Sequence, residues 1–189
     1  MKNTLLTLTI AALLVGCSSK DSLLETIGEL EIKLYSENET VFDRDIADNL
    51  VATYLDYVAA YPEDEKSPVL LFKAGEVSMG MESAEVALAC YKQVYTDYPD
   101  FGKAATALFL EGFVYETQTN NLVMAQKCYI EFMDKYPDHT LADDAKFSLA
   151  NLGKSDEEII REFEEKLKKK AAEDEEESTS TEVNASEIN

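Results

Sequence analysis

Three Tyr-Pro pairs, Tyr61-Pro62, Tyr98-Pro99 and Tyr136-Pro137, recur at intervals of 37 and 38 residues. A fixed period of this length marks an array of helical repeats. The same stripe stands behind each proline. It reads Leu50, Tyr54, Tyr57 before Pro62, then Ala87, Tyr91, Val94 before Pro99, then Ala125, Tyr129, Phe132 before Pro137. Steps of four and three residues put such side chains on one face of a helix. The proline then ends the helix, because it pushes the residue before it out of helical geometry. An acidic residue follows each pair (Glu63, Asp100, Asp138) and suits a turn.

A second kind of helix alternates with the first. Leu71, Phe72 and Gly75 recur 37 residues later as Leu108, Phe109 and Gly112. In the next unit Phe147 keeps the aromatic and Ala150 stands in place of the glycine. A glycine in a helix lets a neighbour approach closely, at about 1 kcal/mol relative to alanine. The spacing predicts helices of this A type over 67–79, 101–118 and 140–152, and B-type helices ending in Tyr-Pro over 43–61, 83–98 and 122–136. The repeats thus cover 43–153. An amphipathic helix is predicted over 21–35, carrying Leu23, Leu24, Ile27, Leu30 and Leu34, to cover the first repeat. At the other end Gly153 stops a helix, and Ser155 with Glu158 forms a capping box for another over 156–170. Its acidic first turn and its Lys166, Lys168, Lys169 and Lys170 suit the helix dipole, and Ile159, Ile160, Phe163 and Leu167 give it an inward stripe.

The two ends are of different character. Lys2, the apolar run Leu5–Val15 and the small Gly16 have the layout of a secretory signal over 1–16, too short to span a bilayer permanently. Leu14-Val15-Gly16-Cys17 resembles a bacterial lipobox, which implies cleavage before Cys17 and lipidation (palmitate among the acyl chains) of that cysteine. An ordinary signal peptide is the alternative. Removing residues 1–16 takes away Lys2 alone, so the net charge goes from −21 to −22. No basic patch could neutralise phosphates, so a nucleic-acid partner is not expected, and attachment to a membrane must come from the lipid. Residues 171–189 are acidic and nearly devoid of large apolar side chains, the composition of a disordered tail.

The repeat positions resemble the tetratricopeptide repeat. Gly75 to Ala87 spans twelve residues, as in that family, and Gly112 to Ala125 spans thirteen, an insertion near Asn120-Asn121. The resemblance implies an all-α, right-handed superhelical solenoid of about three helix-turn-helix repeats with N- and C-terminal cap helices. The lipobox, together with Tyr98-Pro99-Asp100 through Ala104 and Ala107, and Tyr136-Pro137-Asp138 through Ala142 and Ala145, is similar to the outer-membrane β-barrel assembly lipoproteins of the BamD type and to the Tol-Pal coordinator family. Those families have a role in the bacterial cell envelope, outer-membrane protein assembly among them. The assembly lipoproteins carry about five repeats, and this chain shows three.

Little in the chain suits catalysis. The single histidine, His139, has no partner in a turn, and no spacing suggests a metal site, a phosphate loop or an activated nucleophile. No enzyme activity, cofactor or metal is therefore expected. Cys90 and Cys128 hold the same repeat position and read as buried free thiols, although a disulfide stays open in an oxidising compartment. Of ten tyrosines, Tyr57, Tyr95 and Tyr115 are the candidates for an exposed peptide-binding face. Asp21-Ser22-Leu23 resembles a short bacterial O-glycosylation sequence, and Ser22 equally suits a helix cap. Two functions follow as expectations. One is a lipid-anchored adaptor, at the periplasmic face of the outer membrane or at the cell surface, binding an envelope protein or peptide. The other is an accessory lipoprotein that holds a ligand or glycan in a cavity lined by Phe72, Phe109 and Phe147.

Overall fold

A computed structural model describes residues 20–35, 42–155 and 157–171. The signal segment, Cys17 and the tail beyond residue 171 lie outside the described residues. The described chain is all-helical. It contains α1 (20–34), α2 (Arg44–Ala60), α3 (Ser67–Gly80), α4 (Ala84–Asp97), α5 (Ala104–Thr117), α6 (Leu122–Lys135), α7 (Ala142–Asn151) and α8 (157–171). Each of α2 to α5 packs on the next in sequence, so α2 to α6 form a row of hairpins. The chain divides into two compact units, Met1–Leu149 and Ala150–Asn189.

The B-type stripe is the core of the first unit. Leu50, Tyr54, Tyr57, Ala87, Tyr91, Val94, Ala125, Tyr129 and Phe132 all have zero exposure. The tyrosines ending α2, α4 and α6 share one backbone state, with φ −135°, −126° and −132° and ψ 56°, 58° and 54°. It lies outside the helical region, which a following proline disfavours. Each of these N–H groups still donates to the carbonyl four residues back, in Tyr57, Val94 and Phe132. The turn that follows also repeats. The N–H groups of Asp64, Phe101 and His139 donate to the carbonyls of Tyr61, Tyr98 and Tyr136, and those of Ser67, Ala104 and Ala142 then donate to the carbonyls of residues 64, 101 and 139.

These turns occupy the start of the next A helix. α5 begins at Ala104 rather than 101, and α7 at Ala142 rather than 140. The residues before α3 and α5, Lys66 and Lys103, make no side-chain cap, so helix onset there is set by the turn.

The glycines do what close packing requires. A methyl group at Gly75 would lie 2.7 Å from Cε1 of Tyr91, and one at Gly112 would lie 2.9 Å from Cε1 of Tyr129. The hairpin turns bring φ to +59° at Glu82 and +50° at Asn120, and the insertion falls at the asparagine, which tolerates the left-handed region.

α1 packs through Ile27, with Leu23, Leu24, Leu30 and Leu34 against the same core. Leu23-Leu24 and Ile27 have the mutual spacing of Leu71-Phe72 and Gly75, but stand 48 residues earlier and not one 37-residue period. Glu31 of α1 accepts from Tyr54 Oη (2.6 Å) and from Lys73 Nζ (2.7 Å), which ties α1 to α2 and α3. Ser22 lies inside α1 and not at its cap, because residue 20 is already helical.

In the second unit Gly153 adopts φ +79°, a stop that favours glycine. The capping box is present: Ser155 N–H donates to Glu158 Oε2 (3.0 Å) and Glu158 N–H donates to Ser155 Oγ (3.3 Å). The stripe of α8 expected to face inward is instead exposed, Ile160 by 58%, Phe163 by 62% and Leu167 by 52%.

Candidate functional site

A recess lies between two successive Tyr-Pro turns. It is an open groove of about 550 Å³, lined by Pro62, Glu63, Asp64, Glu65 and Pro68 from one turn and by Gln93, Asp97, Tyr98, Pro99, Asp100 and Phe101 from the next. The repeat builds it. Each turn follows its proline with an acidic residue, Glu63 or Asp100, one repeat apart. Tyr98 Oη donates to the carbonyl of Pro62 (2.9 Å) and so fixes one turn against the other. Burial first, then the charges of Asp97 and Glu63, hold the Tyr98 phenol above its ordinary range.

Five carboxylates face this groove, and neither lysine nor arginine lines it. Asp64 is the best anchored of them. It accepts from Tyr57 Oη (3.0 Å) and from the N–H of Lys66 (2.9 Å), and it pairs with Lys20. The Lys20 hydrogen bond, then the backbone N–H, bring the Asp64 carboxyl down to about 2. Glu63, Glu65, Asp97 and Asp100 are exposed. The floor is apolar, formed by three prolines with Tyr98 and Phe101, and Phe101 itself leans edge-on against Phe72 (6.3 Å between ring centres). Carboxylates above aromatic and proline surface suit a cationic chain, which gains charge pairing and ring contact together.

The three tyrosines singled out in the sequence do not converge on one face. Tyr57 is fully buried, in stacking contact with Tyr61 (5.2 Å) and bonded to Asp64, so it belongs to the core. It holds the stripe position of Val94 and Phe132, a signal that outweighs its apparent freedom. Tyr95 is half-buried and donates to Oε2 of Glu111 (2.8 Å). Tyr115 is half-buried, its phenol pushed up by burial and then by Glu111. Tyr95 and Tyr115 thus gather around Glu111, a carboxylate only 3% exposed between α4, α5 and α6. Burial pushes the Glu111 carboxyl above its usual range, against the hydrogen bonds from Tyr95 and Cys128 and the charge of Lys92. This cluster pins three helices together and offers no open face.

Cys90 and Cys128 are free and buried, their thiols raised to about 11 and about 12, chiefly by burial. Such thiols pack and do not react. His139 stacks edge-on against Phe132 (5.4 Å), and its Nδ1 accepts from the N–H of Leu141 (3.1 Å), so it is a turn residue. The expected phenylalanine cavity does not form. Phe72 is buried against Tyr91 and Phe101, Phe109 is half-buried against Tyr129 and Phe132, and Phe147 is 60% exposed. Among the described residues no group of three or more histidine, cysteine or acidic side chains could hold a metal ion, and no helix is long and apolar enough to cross a membrane.

The groove residues are the ones that sequence reasoning passed over, reading each acidic residue as local turn chemistry. The signal was present: turns one repeat apart in a row of packed hairpins lie side by side, so a recurring Tyr-Pro-acidic segment makes a surface and not two separate corners. Compared with known proteins, the sequence matches no family model and no curated protein.

Proposed function

We propose that this chain is a non-enzymatic, lipid-anchored adaptor of the bacterial envelope, built as a right-handed tetratricopeptide-like array with α1 as its N-terminal cap. Cys17 carries the lipid and fixes the array at the outer membrane. The acidic groove between the turns at 62–68 and 97–101 holds an extended, lysine- or arginine-bearing segment of a partner protein. The observation that carries this reading is the groove itself: four exposed carboxylates beside the Lys20-paired Asp64, with no lysine or arginine in the lining, alongside prolines, Tyr98 and Phe101. The resemblance to the envelope assembly lipoproteins supports the compartment and leaves the partner to be identified.

Two experiments test the two halves of the proposal. Fatty-acid labelling of the chain and of its Cys17→Ser form should show label only in the former; label in both, or in neither, removes the anchor. A photo-crosslinker at Gln93, in the groove, and another at Gln126, on α6, should give a partner adduct from the first position only. Asp97→Lys with Asp100→Lys should abolish that adduct while leaving the thermal melt unchanged. An adduct that survives charge reversal would exclude the groove as the binding face.

A further inference from the structure

α8 carries an unspent surface. Ile160, Phe163 and Leu167 follow one another at steps of three and four and are each more than half exposed, so they form a narrow apolar seam along one side of a fifteen-residue helix. Seams of this spacing are what helix pairs bury. The charges of α8 are divided along its length. Residues 157–165 contain Glu157, Glu158, Glu162, Glu164 and Glu165 against Arg161, a balance of −4, while residues 166–171 contain Lys166, Lys168, Lys169 and Lys170, a balance of +4. Laid on a parallel copy of itself, such a helix sets acid against acid and lysine against lysine. Laid on an antiparallel copy, it sets each acidic end on a lysine end and keeps the seams facing, with Ile160 of one copy near Leu167 of the other and Phe163 near the shared axis. The opposed helix dipoles favour the same arrangement.

We propose that α8 is a self-association element, pairing antiparallel with α8 of a second copy of this chain. The occupant of the seam is therefore another α8, chosen by charge complementarity. A basic amphipathic helix lying on an anionic bilayer would require an excess of positive charge, whereas α8 is neutral overall, −4 and +4, so a membrane surface is the less suited occupant. The pairing is intermolecular and isologous, so each copy offers the same face.

Cysteine crosslinking in the full chain, produced in a bacterial envelope, tests both partner and direction, with Cys90 and Cys128 buried away from the reaction. Glu157→Cys and Lys170→Cys chains expressed together should form a mixed disulfide dimer, and neither should dimerise through that cysteine alone. A dimer formed by Glu157→Cys alone means parallel pairing and overturns the proposal. So does the absence of any dimer. Phe163→Asp should lower the mixed dimer at least tenfold. Because that variant could act by unfolding α8, a charge exchange provides the decisive arm. A chain with Lys166, Lys168, Lys169 and Lys170 all changed to Glu, and a second with its five glutamates at 157–165 changed to Lys, should each fail to pair with itself. Together they should form a heterodimer. If each variant still self-associates, or if their mixture stays monomeric, charge complementarity between α8 helices is not what joins the copies.

Discussion

Hairpins α3–α4 and α5–α6 set a tyrosine ring on a glycine in the same way, yet they treat the phenol differently. Tyr91 packs on Gly75, and its hydroxyl reaches only the sulfur of Met79, at 3.8 Å. Tyr129 packs on Gly112 and donates to Glu116 Oε2 at 2.7 Å. Between α1 and α2 the polar contact goes further: Tyr54 donates to Glu31, which also accepts from Lys73. The ring is therefore the invariant part of the joint, and the hydroxyl is free to take whichever neighbour the next helix supplies. Packing makes the row of hairpins, and polar contacts individualise each step.

The largest effect that could break this comparison comes from removing a ring. Tyr91→Ala should cost about 3–5 kcal/mol in urea unfolding, as for other large aromatic truncations in cores. A cost under half of that would show that the ring is not the joint. Next come the glycines. Gly75→Ala brings its methyl into the Tyr91 ring, an overpacking loss that outweighs the gain in helix propensity, for a net loss of about 1 kcal/mol. Gly28→Ala, where nothing lies within 4 Å of the new methyl, should gain about 1 kcal/mol by propensity alone. Equal changes in melting temperature at the two sites would refute the close-approach role. Removing hydroxyls sharpens the contrast: Tyr129→Phe should cost about 1 kcal/mol, and Tyr91→Phe less than half of that, by the same unfolding measurement.

The smallest effect concerns pH. Glu111 binds its proton more tightly in the folded chain than in the unfolded one, because burial raises it. Its contribution is complete below the ordinary glutamate range and is lost as pH rises through the raised value. Asp64 acts oppositely. Its carboxyl is lowered to about 2, so its contribution is complete above the ordinary aspartate range and is lost as pH falls toward 2. Glu111→Gln should therefore lessen the decline in unfolding free energy as pH rises above the ordinary glutamate range, while leaving the acid limb intact. An unchanged slope would mean that Glu111 titrates as an ordinary glutamate.

What the sequence made legible is the part repetition writes three times. The nine stripe residues behind the prolines are all buried, and the helix ends at Tyr61, Tyr98 and Tyr136 fall where the prolines require. The capping box at Ser155 was equally readable, because two side chains of fixed spacing build it. The onsets of α5 and α7 were not, since no capping side chain precedes α5 and the turn itself consumes the missing residues. Nor was the fate of Tyr95, whose hydroxyl finds Glu111 from the neighbouring helix, a partner sixteen residues away that no periodicity marks. The groove was hidden for a related reason. It belongs to two turns at once, and position-by-position reading treats turns singly.

Lys20 pairs with Asp64, in the wall of the groove, and its ammonium lies 5.8 Å from the centre of the Tyr61 ring. Only two residues, Ser18 and Ser19, separate it from Cys17, a distance of three chain steps. A chain of that length reaches about 10 Å at full extension. With an acyl chain on Cys17, the leash is thus shorter than the width of two helices, and it is clipped to the rim of the groove itself. Under the anchoring proposed at Cys17, such a protein would not sample the depth of the envelope or reach outward for its cargo. It would meet only what is already at the bilayer surface, and there it would meet it often, the short leash converting a search through volume into a search across a plane.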